Sequence, residues 1–500
     1  MTSDKEHFSP LDRFNLLRRY VPLAIWVITA LVVLLIPLKI ISLGYLPGDD
    51  ALRHAAKAVS GKPWSEILVL NPVYKMDHEF GWNWLMAKIH GWENWNAESL
   101  VVFSVVSLFV LVNIAALGWL KRPEAWLITL LASMILALVP GRLMLGRPYL
   151  VTVAALLTVL FLWRRHGNAP PQKPALALMV ALAALCTFIH GAWYLWVLPV
   201  AAFFLAGEIR WGLALGICWG IGTVIGAALT GHPVQYLVQA IQLAFLAVGA
   251  HETQRTMAGE LQPFNGDYLA LSAMGALLAL RSLAKLKCFP LSRDPAFWLV
   301  AMCWVLGFKV GRFWEDWGWP AFMVLMASDL QLLLETRFAL DSFKRLGLVG
   351  ILALATYLGV TCDYNSRWTS ATTQQYLVAD DPNLQGWMPG KDGILYTVDM
   401  PLFYQTFFKN PTGDWRYMLG FEPTWMPRED FEIFHRIVWN FNNGEAYEPW
   451  VKQMTPADRL VVRSAGGGPP NIPGLEWKPG AGSYWIGRLP QTNALPLPSK

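Results

Sequence analysis

The chain has 500 residues, of which 55% are hydrophobic and only 15% charged, and its mean hydropathy is +0.36. A soluble globular domain carries about 25% charged residues, so this composition excludes one soluble domain and points to a polytopic α-helical membrane protein. The net charge of +5 is small and its basic residues are scattered, which argues against a nucleic-acid groove.

Twenty-six Trp suit a chain rich in membrane-water interface, where an indole keeps its body in lipid and its N–H toward water. The five Cys, at 186, 218, 288, 303 and 362, form no C-x-x-C pair, which argues against a disulfide framework and a zinc site.

Apolar runs of transmembrane character recur near 21–43, 99–119, 124–140, 149–163, 175–190, 192–206, 212–230, 268–284, 296–311, 317–335 and 346–362, predicting about eleven spans. The first has a basic flank but no small-residue cleavage site, so it is expected to be a retained anchor behind an N-terminal segment 1–20. With that segment in the cytoplasm, seventeen basic residues, Lys5 and Lys287 among them, fall on the inner side. The short outer loops hold four: Arg142, Arg147, Lys309 and Arg312. This positive-inside bias places residues 363–500 outside the membrane, the periplasm if the membrane is a bacterial inner membrane.

Between the termini, residues 21–362 read as the membrane domain. It carries two long outer loops, 44–98 and 231–267. In the first, Asp50–Ser60 is predicted as a short helix ending at Gly61, and 76–90 as an amphipathic helix with Trp82, Leu85, Met86 and Ile89 on its apolar side, both lying in the interface. In the second, 234–249 is apolar but broken by Gln235, Gln239 and Gln242, predicting a shallow or re-entrant helix. The tail, 363–500, alternates strand-like runs at 393–398, 460–463 and 483–489 with amphipathic helices at 401–408 and 429–441, a pattern for a small α/β domain. Gly466, Gly467 and Gly468 lack the Lys and Ser/Thr of a P-loop and read as a turn.

The chemistry concentrates where the first span emerges. Asp49 and Asp50 are adjacent carboxylates at the hydrocarbon boundary, where a mid-bilayer acid would cost about 2.5–3.5 kcal/mol. Arg53 and His54, three and four positions on, can lean back toward Asp50. A helix cap accounts for one Asp but not for two. As functional groups, Asp49 and Asp50 are candidates for a general base that takes a proton from an incoming hydroxyl or amine. They are also candidate ligands for a divalent ion, Mg²⁺ or Mn²⁺. Asp77, His78 and Glu79 form a second acidic cluster that offers further donors, or simply a solvated helix start.

Arg142, Arg147, Lys309, Arg312, Lys39 and His190 supply the complementary cations at the outer face, suited to a phosphate or to lipid headgroups. His190 and His232 belong to an outer-side set of seven His without an H-x-x-x-H pair, and no Gly-x-Ser-x-Gly elbow occurs. The run Trp314-Glu315-Asp316-Trp317-Gly318-Trp319 reads first as an aromatic belt with a solvated acidic turn.

With a long first outer loop, the Asp49-Asp50 pair at its start, some eleven spans and an outer soluble domain, the chain resembles the GT-C superfamily of polytopic membrane glycosyltransferases, such as protein mannosyltransferases and aminoarabinose transferases. The resemblance implies a polyprenyl-phosphate-linked sugar donor and a catalytic or metal-binding acid at Asp49 or Asp50. The acceptor is left open among envelope lipid, glycan and protein. The tail lacks the Trp-Trp-Asp signature of oligosaccharyltransferases, which speaks against transfer of a preassembled glycan to Asn. Two other classes remain: an O-antigen ligase or polymerase-like transferase working through Arg142, Arg147, His190 and His232, and a transporter or non-catalytic assembly protein.

Overall fold

The computed structural model describes residues 10–74, 76–135, 139–167, 169–249, 261–264, 266–286, 290–338, 340–441, 443–464 and 466–490. Lys5, Lys287 and Cys288, named above, lie outside the described residues, as does His251, one of the seven outer-side His.

Each apolar run holds helix in its described residues. In chain order the helices are α1 (Pro10–Ser42), α2 (Asp50–Ser60), α3 (Trp64–Ile67), α4 (Phe80–Glu93), α5 (Ala97–Leu117), α6 (Pro123–Ile135), α7 (Val139–Met144), α8 (Tyr149–His166), α9 (Lys173–Ile189) and α10 (Val197–Leu205). They continue with α11 (Ile209–Ala228), α12 (Pro233–Gly249), α13 (Tyr268–Leu283), α14 (Pro295–Gly307), α15 (Trp319–Thr336) and α16 (Ser342–Thr361). Among the described residues, six segments are long and apolar enough to cross a membrane: Arg18–Ser42, Ala97–Leu117, Tyr149–His166, Ile209–Ala228, Gly311–Thr336 and Ser342–Thr361. Lys173–Ile189, Trp193–Leu205, Tyr268–Leu283 and Pro295–Gly307, also at predicted spans, run short of the ~20 residues a full crossing takes. The chain is therefore a polytopic membrane protein with a soluble C-terminal region, its spans less uniform than the hydropathy suggests.

Three buried carboxylates tie segments of the bundle together through arginines. Arg164 at the end of α8 meets Asp294 before α14, Arg281 of α13 meets Asp329 of α15, and Glu124 of α6 receives Arg345 of α16 at 2.7 Å and Arg122 at 2.9 Å. Asp294 and Glu124 are fully buried, and a buried carboxylate persists only with a partner.

The C-terminal region is a small open mixed sheet with helices. Its strands β1 (Ile394–Tyr396), β2 (Arg416–Tyr417), β3 (Arg459–Arg463), β4 (Glu476–Pro479) and β5 (Tyr484–Arg488) lie in the order β2-β1-β3-β5-β4. Pairs β1–β2 and β1–β3 are parallel, β3–β5 and β4–β5 antiparallel. Helices α17 (Met400–Lys409), α18 (Arg428–Trp439) and α19 (Glu448–Gln453) complete it.

The first long loop is tied into this sheet. Leu68 bridges Tyr417 in parallel, the Val69 N–H donates to the Tyr417 carbonyl at 2.9 Å, and the Asn71 N–H donates to the Trp425 carbonyl at 2.8 Å. Helix α17 packs on α2, and Trp64 lies tilted against Phe407 and Phe421, so one apolar core runs from the bundle through the loop into the C-terminal region. This continuity places C-terminal side chains beside Asp50.

Candidate functional site

Helix α2 spans the residues expected of it and ends at Gly61, whose φ of +64° is the left-handed value a glycine cap adopts freely. Asp49 occupies the N-cap position, yet its carboxylate makes no cap hydrogen bond. It instead accepts from the Arg147 guanidinium at 2.6 Å, so capping is not what holds this acid. Asp50, one residue on, is shared. Its Oδ1 receives Arg53 Nε at 2.7 Å, and its Oδ2 lies 3.5 Å from Arg147 Nε. Arg53 leans back as the spacing predicts, whereas His54 turns away to Asn83 Oδ1 at 2.6 Å and Glu79 at 3.2 Å.

The acidic cluster at 77–79 divides its labour. Helix α4 begins at Phe80 rather than near 76 because Asp77 holds the preceding turn. Asp77 accepts from the Glu79 N–H at 3.0 Å, from Trp64 Nε1 at 2.8 Å and from the Asn83 amide. Glu79 is no solvated helix start. It is 3% exposed and paired with the Arg53 guanidinium, with His54 Nε2 at 3.2 Å and His78 Nε2 at 3.9 Å. Arg53 is itself 1% exposed and lies 4.0 Å over the Phe421 ring.

This packing sets the protonation states. Burial alone would raise the Asp50 carboxyl, but Arg53 and Arg147 hold it below the usual carboxylate range. Glu79 is likewise buried, and Arg53 and His54 bring it well below that range. Burial pushes His78 down despite the neighbouring Glu79 and Asp77. Tyr404 of α17, whose hydroxyl reaches Asp50 Oδ1 at 3.4 Å, is raised well above a free phenol by burial and by Asp50, so it stays a neutral hydrogen-bond donor.

Asp50, Arg53, His78, Glu79, Arg147, His190 and Arg312 line one end of a cavity of about 630 Å³. Leu195, Val197, Ile241, Leu243, Ala244, Val310 and Phe313 form its apolar wall, drawn from the turn Trp193–Trp196, α10, α12 and the stretch before α15, and the exposed Val197 and Phe245 leave that wall open at the surface. Glu422, Thr424, Phe421 and Tyr404 enter from the C-terminal region.

Of the candidate cations, Arg147, Arg312 and His190 reach the cavity. Arg312 donates through Nε to Asp316 at 2.8 Å and holds a second nitrogen 3.4 Å from His190 Nε2. His190 Nδ1 is buried with no partner among the described residues. Arg142 does not line the cavity. It stands behind it, gripping Asp316 and lying 2.6 Å from Glu315. Lys309 and Lys39 are exposed and do not line the cavity either. His232 is exposed as well.

Two features went unread in the sequence. Trp314, Trp317 and Trp319 are buried rather than forming a belt, and Asp316 in the π-helical turn between them is 7% exposed, bridging Arg142 and Arg312. The signal available was an acid placed four residues after Arg312. Tyr404, Glu422 and Thr424 carried no local signal, since they join the site only through the packing of the C-terminal region on the first loop.

The donor set does not fit a divalent cation. The oxygens of Asp49 and Asp50 face guanidinium nitrogens, and among the described residues no three His, Cys, Asp or Glu side chains gather as a metal site requires. Asp49 and Asp50 act here as partners of Arg53 and Arg147.

No protein-family model matches the chain, and no curated protein matches it either.

Proposed function

We propose that the protein is a GT-C-type membrane glycosyltransferase that moves a sugar from a polyprenyl-phosphate donor to an acceptor, on the outer face of the membrane, with the N-terminus in the cytoplasm. One observation carries this reading. A single cavity joins a carboxylate–guanidinium end to an apolar wall that opens at the surface, the polarity pattern of a lipid phosphate ester bearing a polar headgroup.

In this reading the apolar tail lies along α12 and α10, and Arg312, Arg147 and His190 face the phosphate. Asp50 sits where an acceptor hydroxyl arrives. Oxygen attack on the anomeric carbon forms one C–O bond while the bond to phosphate breaks on the opposite face, and the phosphate keeps the electron pair. The acceptor hydroxyl becomes acidic as its oxygen bonds to carbon, so a carboxylate held ionised by arginines can take the proton in that step. The guanidinium groups stabilise the charge developing on phosphate, the contribution that preorganised dipoles and charges make best.

A second reading, transfer through Arg and His without a carboxylate base, draws support from the unpartnered Nδ1 of His190 at the cavity. A transporter draws less, since the ionisable groups of the cavity gather at one end of the bundle rather than along a path across it. The test compares the mass profile of envelope glycans in cells with and without the protein. A missing sugar increment is expected, and an unchanged profile accompanied by a substrate-uptake defect would reject the transferase.

A further inference from the structure

The wall that the C-terminal region contributes to the cavity has a chemistry distinct from the rest. Thr424, in the short turn Pro423–Trp425, is 9% exposed, and its Oγ1 is buried with no hydrogen-bond partner among the described residues. Burying a hydroxyl without a partner is unfavourable, and such a group at a cavity wall is satisfied when a ligand supplies the missing bond. Tyr404, 7% exposed, presents its hydroxyl 3.4 Å from Asp50 Oδ1 on the same wall, and Glu422 adds a carboxylate there. Two hydroxyls and a carboxylate match a ligand that both donates and accepts several hydrogen bonds. The cationic, lipid-accommodating groups belong to the bundle: Arg312, His190 and α12.

We infer that Tyr404, Thr424 and Glu422 form an acceptor subsite for the hydroxyls of a saccharide, which the C-terminal region holds with one hydroxyl turned toward Asp50. The assignment rests on the glycosyltransferase reading for the word acceptor, while the binding of a saccharide does not. Tyr404 orients the incoming hydroxyl and Thr424 accepts or donates at a neighbouring one. The polar wall is built from α17 and the turn at 423–425, and these positions are fixed by the Leu68–Tyr417 bridge and the Asn71–Trp425 hydrogen bond.

The test uses the full chain in lipid nanodiscs and methyl glycosides of glucose, galactose, mannose and N-acetylglucosamine at millimolar concentration, with saturation transfer to the sugar protons as the signal. Wild-type protein is expected to bind at least one. Thr424→Val and Tyr404→Phe should each weaken that binding about tenfold, as loss of one hydrogen bond does. Thr424→Val should melt no lower than the wild type, because the hydroxyl it removes has no partner among the described residues. Fluorescent polyprenyl phosphate, which carries no sugar, should still bind both variants and so reports an intact donor side. Binding by none of the glycosides, or unweakened binding in both variants, overturns the subsite. Displacement of the methyl glycosides by a polyprenyl-phosphate-linked hexose but not by polyprenyl phosphate reassigns the pocket to the donor's own sugar and overturns the acceptor assignment. An unchanged glycan profile in cells lacking the protein would instead reject the transferase reading and leave saccharide binding as measured.

Discussion

Asp50→Asn separates chemistry from folding at this site. Arg53 keeps Glu79 as a partner and Arg147 keeps Asp49 at 2.6 Å, so neither guanidinium is left without a carboxylate. The amide oxygen of Asn can still accept from Arg53. What disappears is the charge in one contact at 2.7 Å and one at 3.5 Å, on a side chain that is 18% exposed. That loss is about 1–2 kcal/mol on the scale of charge-assisted hydrogen bonds. Breaking a buried pair outright would cost about 3–5 kcal/mol. Loss of the proton acceptor is expected to slow transfer by at least about 10²-fold, or roughly 2.7 kcal/mol in the barrier. The assay pairs the melting temperature of the purified variant in nanodiscs with the glycan mass profile of cells that carry it as their sole copy. A variant that melts near the wild type and lacks the sugar increment supports Asp50 as the base. One that restores the increment at wild-type rate refutes it and favours transfer through Arg and His.

Asp316→Asn removes the charge that holds Arg312, while Arg142 keeps Glu315, and it should raise the KM for a lipid-phosphate donor about tenfold with kcat changed much less; an unchanged KM removes Asp316 from the positioning of Arg312. His78 has its pKa lowered in the fold, so between about pH 6.5 and that lowered value the unfolded chain binds a proton that the folded chain refuses. Stability should therefore fall as pH drops from 7 toward 5, a slope shared with His190, which burial and Arg312 lower to about 4, and His78→Gln should reduce the slope of melting temperature against pH; an unaltered slope assigns the whole effect elsewhere. Asp50 and Glu79, both lowered, contribute stability that persists above the usual carboxylate range and fades only as pH falls through their depressed values, so they leave that window flat. Gly191→Ala would place a Cβ 2.8 Å from the His78 carbonyl and 2.9 Å from the Tyr236 hydroxyl, and should cost about 1–3 kcal/mol by thermal melting. A wild-type melting temperature would show that the two backbones can part freely.

Local pattern made the helices legible. Asp50–Ser60 and its Gly61 stop followed from one amphipathic turn and one glycine, and strands near 394, 460 and 484 followed from short β-rich runs. Strands β2 and β4 were not legible because neither sits in a β-rich apolar run that marks it off from the turns around it. The length of the spans was only half legible, since hydropathy marks where an apolar helix lies but not where a neighbour lets it stop short. At the site, the acids of the first loop and their arginines could be read from cost, because a carboxylate beside lipid needs a compensating charge. Which arginine serves which acid could not. Arg147 lies 98 residues from Asp49, and Tyr404 lies 354 residues from Asp50. Such pairings are set by packing between elements and leave no trace in spacing.

Why two adjacent carboxylates are needed follows from that pairing. Asp49 anchors Arg147 and does not line the cavity, while Glu79 anchors Arg53 and is almost wholly buried. Each arginine is thus held by an acid of its own before Asp50 is considered. Asp50 then faces both guanidinium groups as well as the Tyr404 hydroxyl, and it lines the cavity. An acid that is structurally redundant, kept ionised by two cations and open to a ligand is free to gain a proton without unpinning the loop. Asp49 and Glu79 do not have that freedom, because protonating either would weaken the acid that fixes its arginine. The division predicts that Asp49→Asn and Glu79→Gln lower the melting temperature more than Asp50→Asn does, with activity falling in step with stability. The same order of stabilities with activity lost only at Asp49 would move the reactive acid one residue back along the chain.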